Sequence, residues 1–335
     1  MSVNFSWPIY GHQKQIKFLQ NSLNSSNLAN AYLFYGAKGL GKKMIAHHFA
    51  MSLFCQSQEA RPCQKCQICH HVDQETWQDF YSLGKNPDDL SAENIKIFLG
   101  SLSLSSATGT PKLAIIEQVE KLNLHAANAL LKVIEEPPKN TTIILIADSI
   151  DYLPATVISR CQLLKFQALD KRSMAEWLDN FSLAEIEKET VLNLSFGKPG
   201  RALSFMADNL NNFKEKCDWL FKLLDSETLS ALQIIDAWFG ALKKENTELK
   251  VSELGEETVQ YLDLLELFWR DILWSKLERK VLNVLYQKEL KELAIKYSYP
   301  DILKNLLSIN KIKKQLRENV SPQVLWENLA LNFKS

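Results

Sequence analysis

The chain has 335 residues, 46% of them apolar and 23% charged, with 39 Lys/Arg balanced by 39 Asp/Glu. This is the make-up of a globular protein of two or three domains, and it excludes a disordered chain. A net charge of zero gives no overall field to gather nucleic acid or membrane; the excess of 12 Lys/Arg over 7 Asp/Glu across residues 271–335 reads as solvated helix faces.

No apolar run reaches the roughly 18 residues that a membrane helix needs. The segment "MSVNFSWPIY" has neither the basic start nor the apolar stretch of a signal peptide. A cytoplasmic protein is expected, in which the six cysteines serve as thiols or metal ligands rather than disulfides.

The first predicted strand is "AYLFY" (31–35), a short apolar and aromatic run that ends at Gly36. A helix follows over "KKMIAHHFAMSLF" (42–54), with Met44, Ile45, Phe49 and Leu53 near helical spacing. Between them "GAKGLGKK" (36–43) fits the phosphate-loop pattern Gly-x-x-x-x-Gly-Lys followed by Ser or Thr, except at its last position. Gly36, Gly39 and Gly41 would let backbone N–H groups wrap a phosphate chain at a helix start, and Lys42 would add a point charge. Lys43 stands where a magnesium-binding hydroxyl belongs, and its ammonium cannot ligate a cation.

Next, "CQSQEARPCQKCQICHH" carries Cys55, Cys63, Cys66 and Cys69 within 15 residues. Overlapping Cys-x-x-Cys pairs with a fourth thiol upstream suit a tetrahedral, structural Zn²⁺ site at about residues 55–70. An iron–sulfur cluster could use the same thiolates, and His70 and His71 could replace one of them, but nothing else in the chain suggests electron transfer.

"KLAIIEQ" (112–118) and "TTIILIA" (141–147) are two further buried strands, separated by a helix within "LNLHAANALLKVIEEPP" (122–138) that Pro137 and Pro138 end. Strands alternating with helices predict a parallel sheet with helices on both faces. The first of these strands has the shape of a Walker B segment, in which an Asp holds magnesium and a following Glu activates water. Here the pair is Glu117 and Gln118, and a neutral amide cannot act as general base. After the second strand, Asp148 brings negative charge where a neutral phosphate sensor would stand. Taken together, these changes argue against hydrolysis.

"GSLSLSS" (100–106) reads as a helix end or packed loop. Beyond Phe166 no strand is predicted. "MAEWLDNF", "LAEIEKETVLNLS" and "GRALSFMADNL" read as three short helices, and from about Asn211 onward the chain is amphipathic helix.

The chain resembles the clamp-loader subunits of bacterial DNA polymerase III, members of the AAA+ class, and most closely the delta-prime type. The resemblance rests on "ANAYLFYGAKGLGKK", the cysteine cluster, "IKIFLGSLSL", "KLNLHAANALLKVIEEPP", the Ser-Arg-Cys motif at Ser159, Arg160 and Cys161, and "GKPGRAL" (197–203). It covers about residues 5–205; the last third matches only in helical character. It implies an AAA+ α/β nucleotide-binding-like domain over 1–166 with its zinc module, a three-helix lid over 167–208, and an all-α collar for oligomerisation over 209–335.

By the same resemblance, Arg160 is an arginine finger acting in trans on a neighbour's ATP site, and Arg201 lies at a second nucleotide sensor. The implied partners are gamma/tau-like motor subunits and a delta-like clamp-opening subunit, with the sliding clamp and primer–template DNA reached through a hetero-oligomeric ring. Whether the degenerate loop still holds ATP or ADP without turnover stays open. An active AAA+ ATPase that uses Glu117 for metal, and a zinc-dependent nucleic-acid binder on a degenerate nucleotide fold, are the alternatives.

Overall fold

Alternate residues of each central strand face opposite helical layers, and both layers are closed to water. The computed structural model describes residues 4–85, 87–106, 109, 111–245, 251–316 and 320–333. Its strands are β1 (Ala31–Tyr35), β2 (Phe80–Leu83), β3 (Lys112–Ile116), β4 (Thr141–Ala147) and β5 (Gln162–Lys165). All pairings are parallel, in the order β2-β3-β4-β1-β5.

Tyr32, Phe34, Leu113, Ile115, Ile144 and Ile146 share one core with α1 (Gln13–Asn24), α2 (Lys42–Phe54) and α3 (Gln67–Asp73). Leu33, Ala114, Ile116, Ile143 and Leu145 pack on the other side against α4 (Ala92–Leu102) and α5 (Leu124–Glu135). A sheet buried on both faces explains why its strands read as continuous apolar runs.

The helix starts follow from local chemistry. Ser91 Oγ accepts the Asn94 N–H at 3.2 Å to cap α4, and Asn123 Oδ1 accepts the Ala126 N–H at 2.9 Å to cap α5. Ser106 donates to Asp79 Oδ2 at 3.0 Å, so the end of the Ser-rich stretch is tied down, as a packed loop would be.

A short helix α6 (Ala155–Ile158) leads into β5, and the Phe166 N–H then bonds the Tyr35 carbonyl at 2.8 Å. This closes the chain over Gly36, which has φ +142°, and a Cβ there would collide with the Phe166 carbonyl oxygen. Gly36→Ala is therefore expected to cost about 1–3 kcal/mol. Chemical denaturation would read this as a lower midpoint, and an unchanged midpoint would contradict the packing argument.

Three short helices follow, α7 (Lys171–Leu178), α8 (Glu185–Ser195) and α9 (Pro199–Met206). Then come α10 (Asn211–Asp225), α11 (Thr228–Glu245), α12 (Val251–Lys276), α13 (Gln287–Lys296), α14 (Tyr299–Leu316) and α15 (Pro322–Asn332). Among the described residues no strand follows β5.

The chain forms two compact units. One runs to Asn180 and takes in Phe196–Arg201; the other comprises Phe181–Ser195 and the chain from Ala202 onward. In the second unit the large buried side chains are Trp269, Trp326, Phe239 and Phe268, and Trp219 gathers Trp238, Tyr261 and Trp326 at centroid distances of 5.1, 5.1 and 5.4 Å. Among the described residues no helix is long and apolar enough to cross a membrane.

Candidate functional site

The loop of residues 36–41 leaves the C-terminal end of β1, the edge at which parallel α/β sheets bind ligands. Gly41 forms the left-handed N-cap of α2, with φ 86° and ψ 14°. Lys42, the first residue of α2, is only 5% exposed. Its ammonium donates to the Gly36 carbonyl and, at 3.0 Å, to the Ala37 carbonyl. It also meets Asp148 Oδ1 at 2.9 Å. Register explains that third contact: Tyr35 pairs with Ala147, so the residue after β4 lies beside the start of the loop.

Lys43 pairs in the same way. Its Nζ lies 2.6 Å from Oε1 of Glu117, a carboxylate just beyond β3 that is 15% exposed. An ammonium thus sits on the carboxylate that the Walker B pattern assigns to metal. Gln118 adopts a left-handed conformation with φ 55°. Its amide nitrogen donates to the Gly84 carbonyl at 2.8 Å and its oxygen accepts from Lys121 at 2.5 Å. Both ends of the amide are committed to structure.

The backbone just before Arg201 reaches the loop. The Gly200 N–H bonds the Gly39 carbonyl at 2.9 Å, while the Arg201 guanidinium stacks over the Phe196 ring at 5.2 Å from its centroid. The loop glycines, Lys42, Glu117 and the backbone at Arg201 are therefore brought to one end of the sheet.

Sequence reasoning missed a neighbouring charge group. His47 lies one helical turn beyond Lys43, and its Nε2 approaches Glu75 Oε1 at 3.7 Å, while Lys85 pairs with Glu75 Oε2 at 2.8 Å. Burial opposes ionisation of Glu75, but the bond from Lys85 holds its carboxyl below the usual carboxylate range. Burial also lowers the His47 pKa, against the attraction of Glu75. The only sequence signal was the i, i+4 spacing of Lys43 and His47.

The four cysteines converge from the end of α2, the following loop and the start of α3. The Sγ atoms of Cys55, Cys63, Cys66 and Cys69 all lie within 4.8 Å of one another. Tetrahedral zinc with Zn–S bonds of about 2.3 Å separates its sulfurs by roughly 3.8 Å, so the four thiols fit such an ion after a small contraction. The backbone N–H of Lys65 brings the Cys63 thiol down to about 6, favouring the thiolate, whereas burial pushes up Cys55 and Cys69. His70 and His71 stand outside the cluster, and His71 Nδ1 contacts Thr76 Oγ1 at 2.9 Å instead.

The module is tied to the N-terminal segment. The Ser6 N–H bonds the Arg61 carbonyl at 3.1 Å and the Arg61 N–H bonds the Asn4 carbonyl at 2.9 Å. Cys55 and Cys69 are each 1% exposed and belong to the core beneath β1.

Arg160 lies apart from the loop, between α6 and β5. Its guanidinium is 40% exposed and meets Glu135 Oε1 at 2.7 Å through Nη2. Nη1 donates to the Thr156 carbonyl at 3.1 Å and to Ser159 Oγ at 3.4 Å. The adjacent Cys161 is half-buried, which pushes its thiol up to about 11 and makes it a poor nucleophile.

Comparison with known proteins gives this arrangement its context. A family model described as "DNA polymerase III, delta subunit" matches residues 11–170. The DNA polymerase III subunit delta' of Bacillus subtilis is 29% identical over 322 residues, covering 94% of each chain. The DNA polymerase III subunit tau of Escherichia coli is 25% identical over 97% of this chain, which spans only 50% of that protein's length. A gamma subunit-related protein of DNA polymerase III from Thermotoga maritima shares the fold, with a TM-score of 0.51 at 15% identity over 96% of this chain and 99% of its own. The chain is thus similar to subunits of DNA polymerase III, and the delta' subunit of Bacillus subtilis matches it along nearly its whole length.

Proposed function

We propose that the chain is a non-hydrolysing subunit of the cytoplasmic sliding-clamp loader, and that it works by completing the ATP site of a neighbouring subunit. The observation that carries the first half is the Lys43–Glu117 ion pair at 2.6 Å. In an active site of this type a divalent cation bridges the nucleotide and the carboxylate after β3. Here a covalently attached cation already meets that carboxylate, and Gln118 supplies no base. Lys42 is likewise balanced by Asp148 at 2.9 Å. The four charges cancel, which leaves little excess field to draw in and polarise a triphosphate.

In this reading, the region over 1–166 keeps the AAA+ shape as a scaffold, 167–208 is the lid and 209–335 is the collar that joins the ring. Zinc held by Cys55, Cys63, Cys66 and Cys69 would crosslink the module between α2 and β2, a structural role in which no coordination position is left open for chemistry. The partners are gamma/tau-like and delta-like subunits, and through them the clamp and primed DNA. Arg160, two residues past the end of α6 and 40% exposed, would serve the neighbour's site, where a guanidinium stabilises charge spreading over the γ-phosphate oxygens.

The test of the first half uses the chain alone. Purified protein is expected to hydrolyse ATP no faster than the buffer blank, with or without Mg²⁺. A Mg²⁺-dependent rate that Glu117→Ala abolishes would overturn it.

A further inference from the structure

We infer that Glu135 is the positioning residue for Arg160, holding the guanidinium in its working orientation before a neighbour's phosphate arrives. The inference rests on the finger role given to Arg160 above and adds a residue to it.

Helix chemistry does not account for a carboxylate at this place. Glu135 is the last residue of α5 and Glu136 is its C-cap. A helix C-terminus carries the negative end of the macrodipole, so acids there are disfavoured. Glu135 is 46% exposed, and an ion pair between two such groups adds little to folding stability. What the position does provide is reach: Oε1 lies 2.7 Å from Nη2 of Arg160.

The other restraints come from α6 and the residue after it. Nη1 is held by the Thr156 carbonyl at 3.1 Å and by Ser159 Oγ at 3.4 Å. Without Glu135 these leave the head fixed at one nitrogen only and free to swing. With it, both terminal nitrogens are anchored from two separate helices. A guanidinium has five N–H donors; the contacts described engage Nη1 twice and Nη2 once, leaving Nε–H and the second Nη2 hydrogen for an incoming oxygen.

A long side chain that is already ordered loses less freedom when the transition state forms, which is the advantage of preorganised donors. The carboxylate also offsets part of the positive charge, but the guanidinium remains ionised and its direction, not its charge, is what Glu135 supplies.

The experiment is a double-mutant cycle in the reconstituted loader, reading clamp- and DNA-stimulated ATP turnover, with ring assembly checked by mass. Glu135→Ala is expected to lower the kcat of the one site that Arg160 completes about 3- to 10-fold, with KM for ATP and the melting temperature of the chain unchanged. Glu135→Gln retains an acceptor and is expected to stay within about twofold of wild type. In the Arg160→Ala background, Glu135→Ala is expected to have no further effect. Wild-type turnover in Glu135→Ala, a loss in Glu135→Gln as deep as in Glu135→Ala, or an equal loss in the Arg160→Ala background would each overturn the assignment. If Arg160→Ala itself leaves turnover unchanged, the finger reading fails and the assignment falls with it. If only Arg160→Ala matters, the finger stands and Glu135 has no part in it.

Discussion

Cys69→Ser is expected to lower the unfolding free energy of the first unit by on the order of 4 kcal/mol, the scale of losing a structural metal. That corresponds to a fall of roughly 8–16 °C in melting temperature for a unit of this size. The reason lies in what the cluster fastens. The four sulfurs, all within 4.8 Å of one another, join the end of α2 to the start of α3. The loop they close also pairs, through Arg61, with Asn4 and Ser6. Cys55, Cys69 and Val72 line the same core as Phe49 and Phe54. Opening the cluster would expose that core and release the N-terminal segment together.

Metal analysis of the purified chain is expected to find stoichiometric zinc, and a strong chelator is expected to reproduce the destabilisation of Cys69→Ser. Metal-free protein with an unchanged melting temperature would show that the thiols merely pack. The module is remote from Arg160 in sequence, so chelation also separates loss of scaffold from loss of the finger.

The sequence carried most of the sheet and much less of the site. β1, β3 and β4 were legible because both their faces are buried, which leaves an uninterrupted apolar signature in "AYLFY", "KLAII" and "TTIILIA". β2 and β5 were missed. Gln162, Leu163 and Lys165 of β5 are exposed on an edge strand, and β2 at the other edge is four residues long with only Phe80 buried, so neither has a pattern to detect.

At the nucleotide loop the residue types revealed what was absent but not what replaced it. Lys43 was visible as a missing hydroxyl and Asp148 as a misplaced charge. That each pairs with a group far along the chain, Lys43 with Glu117 and Lys42 with Asp148, follows from the β1–β4 and β3–β4 registers. Local spacing does not encode such register. The same holds for Glu135 and Arg160, which 24 intervening residues separate in sequence and one ion pair joins in space.

The central claim is that this chain contributes to ATP turnover through its neighbour and not through its own loop. Arg160→Ala in a reconstituted loader tests it most directly. Removing a guanidinium that stabilises the transferring phosphoryl group is expected to slow the site it completes about 100-fold, below the largest effects known for such fingers. Arg160→Lys keeps the charge but not the planar fork, and should recover only a minor part of the rate. Folding should be unaffected, since Arg160 is 40% exposed and its ion pair lies at the surface. The measurement is clamp- and primed-DNA-stimulated ATP hydrolysis by rings of verified mass. The account predicts rings that assemble normally and lose the turnover of one site. Fully assembled Arg160→Ala rings with wild-type turnover would contradict it.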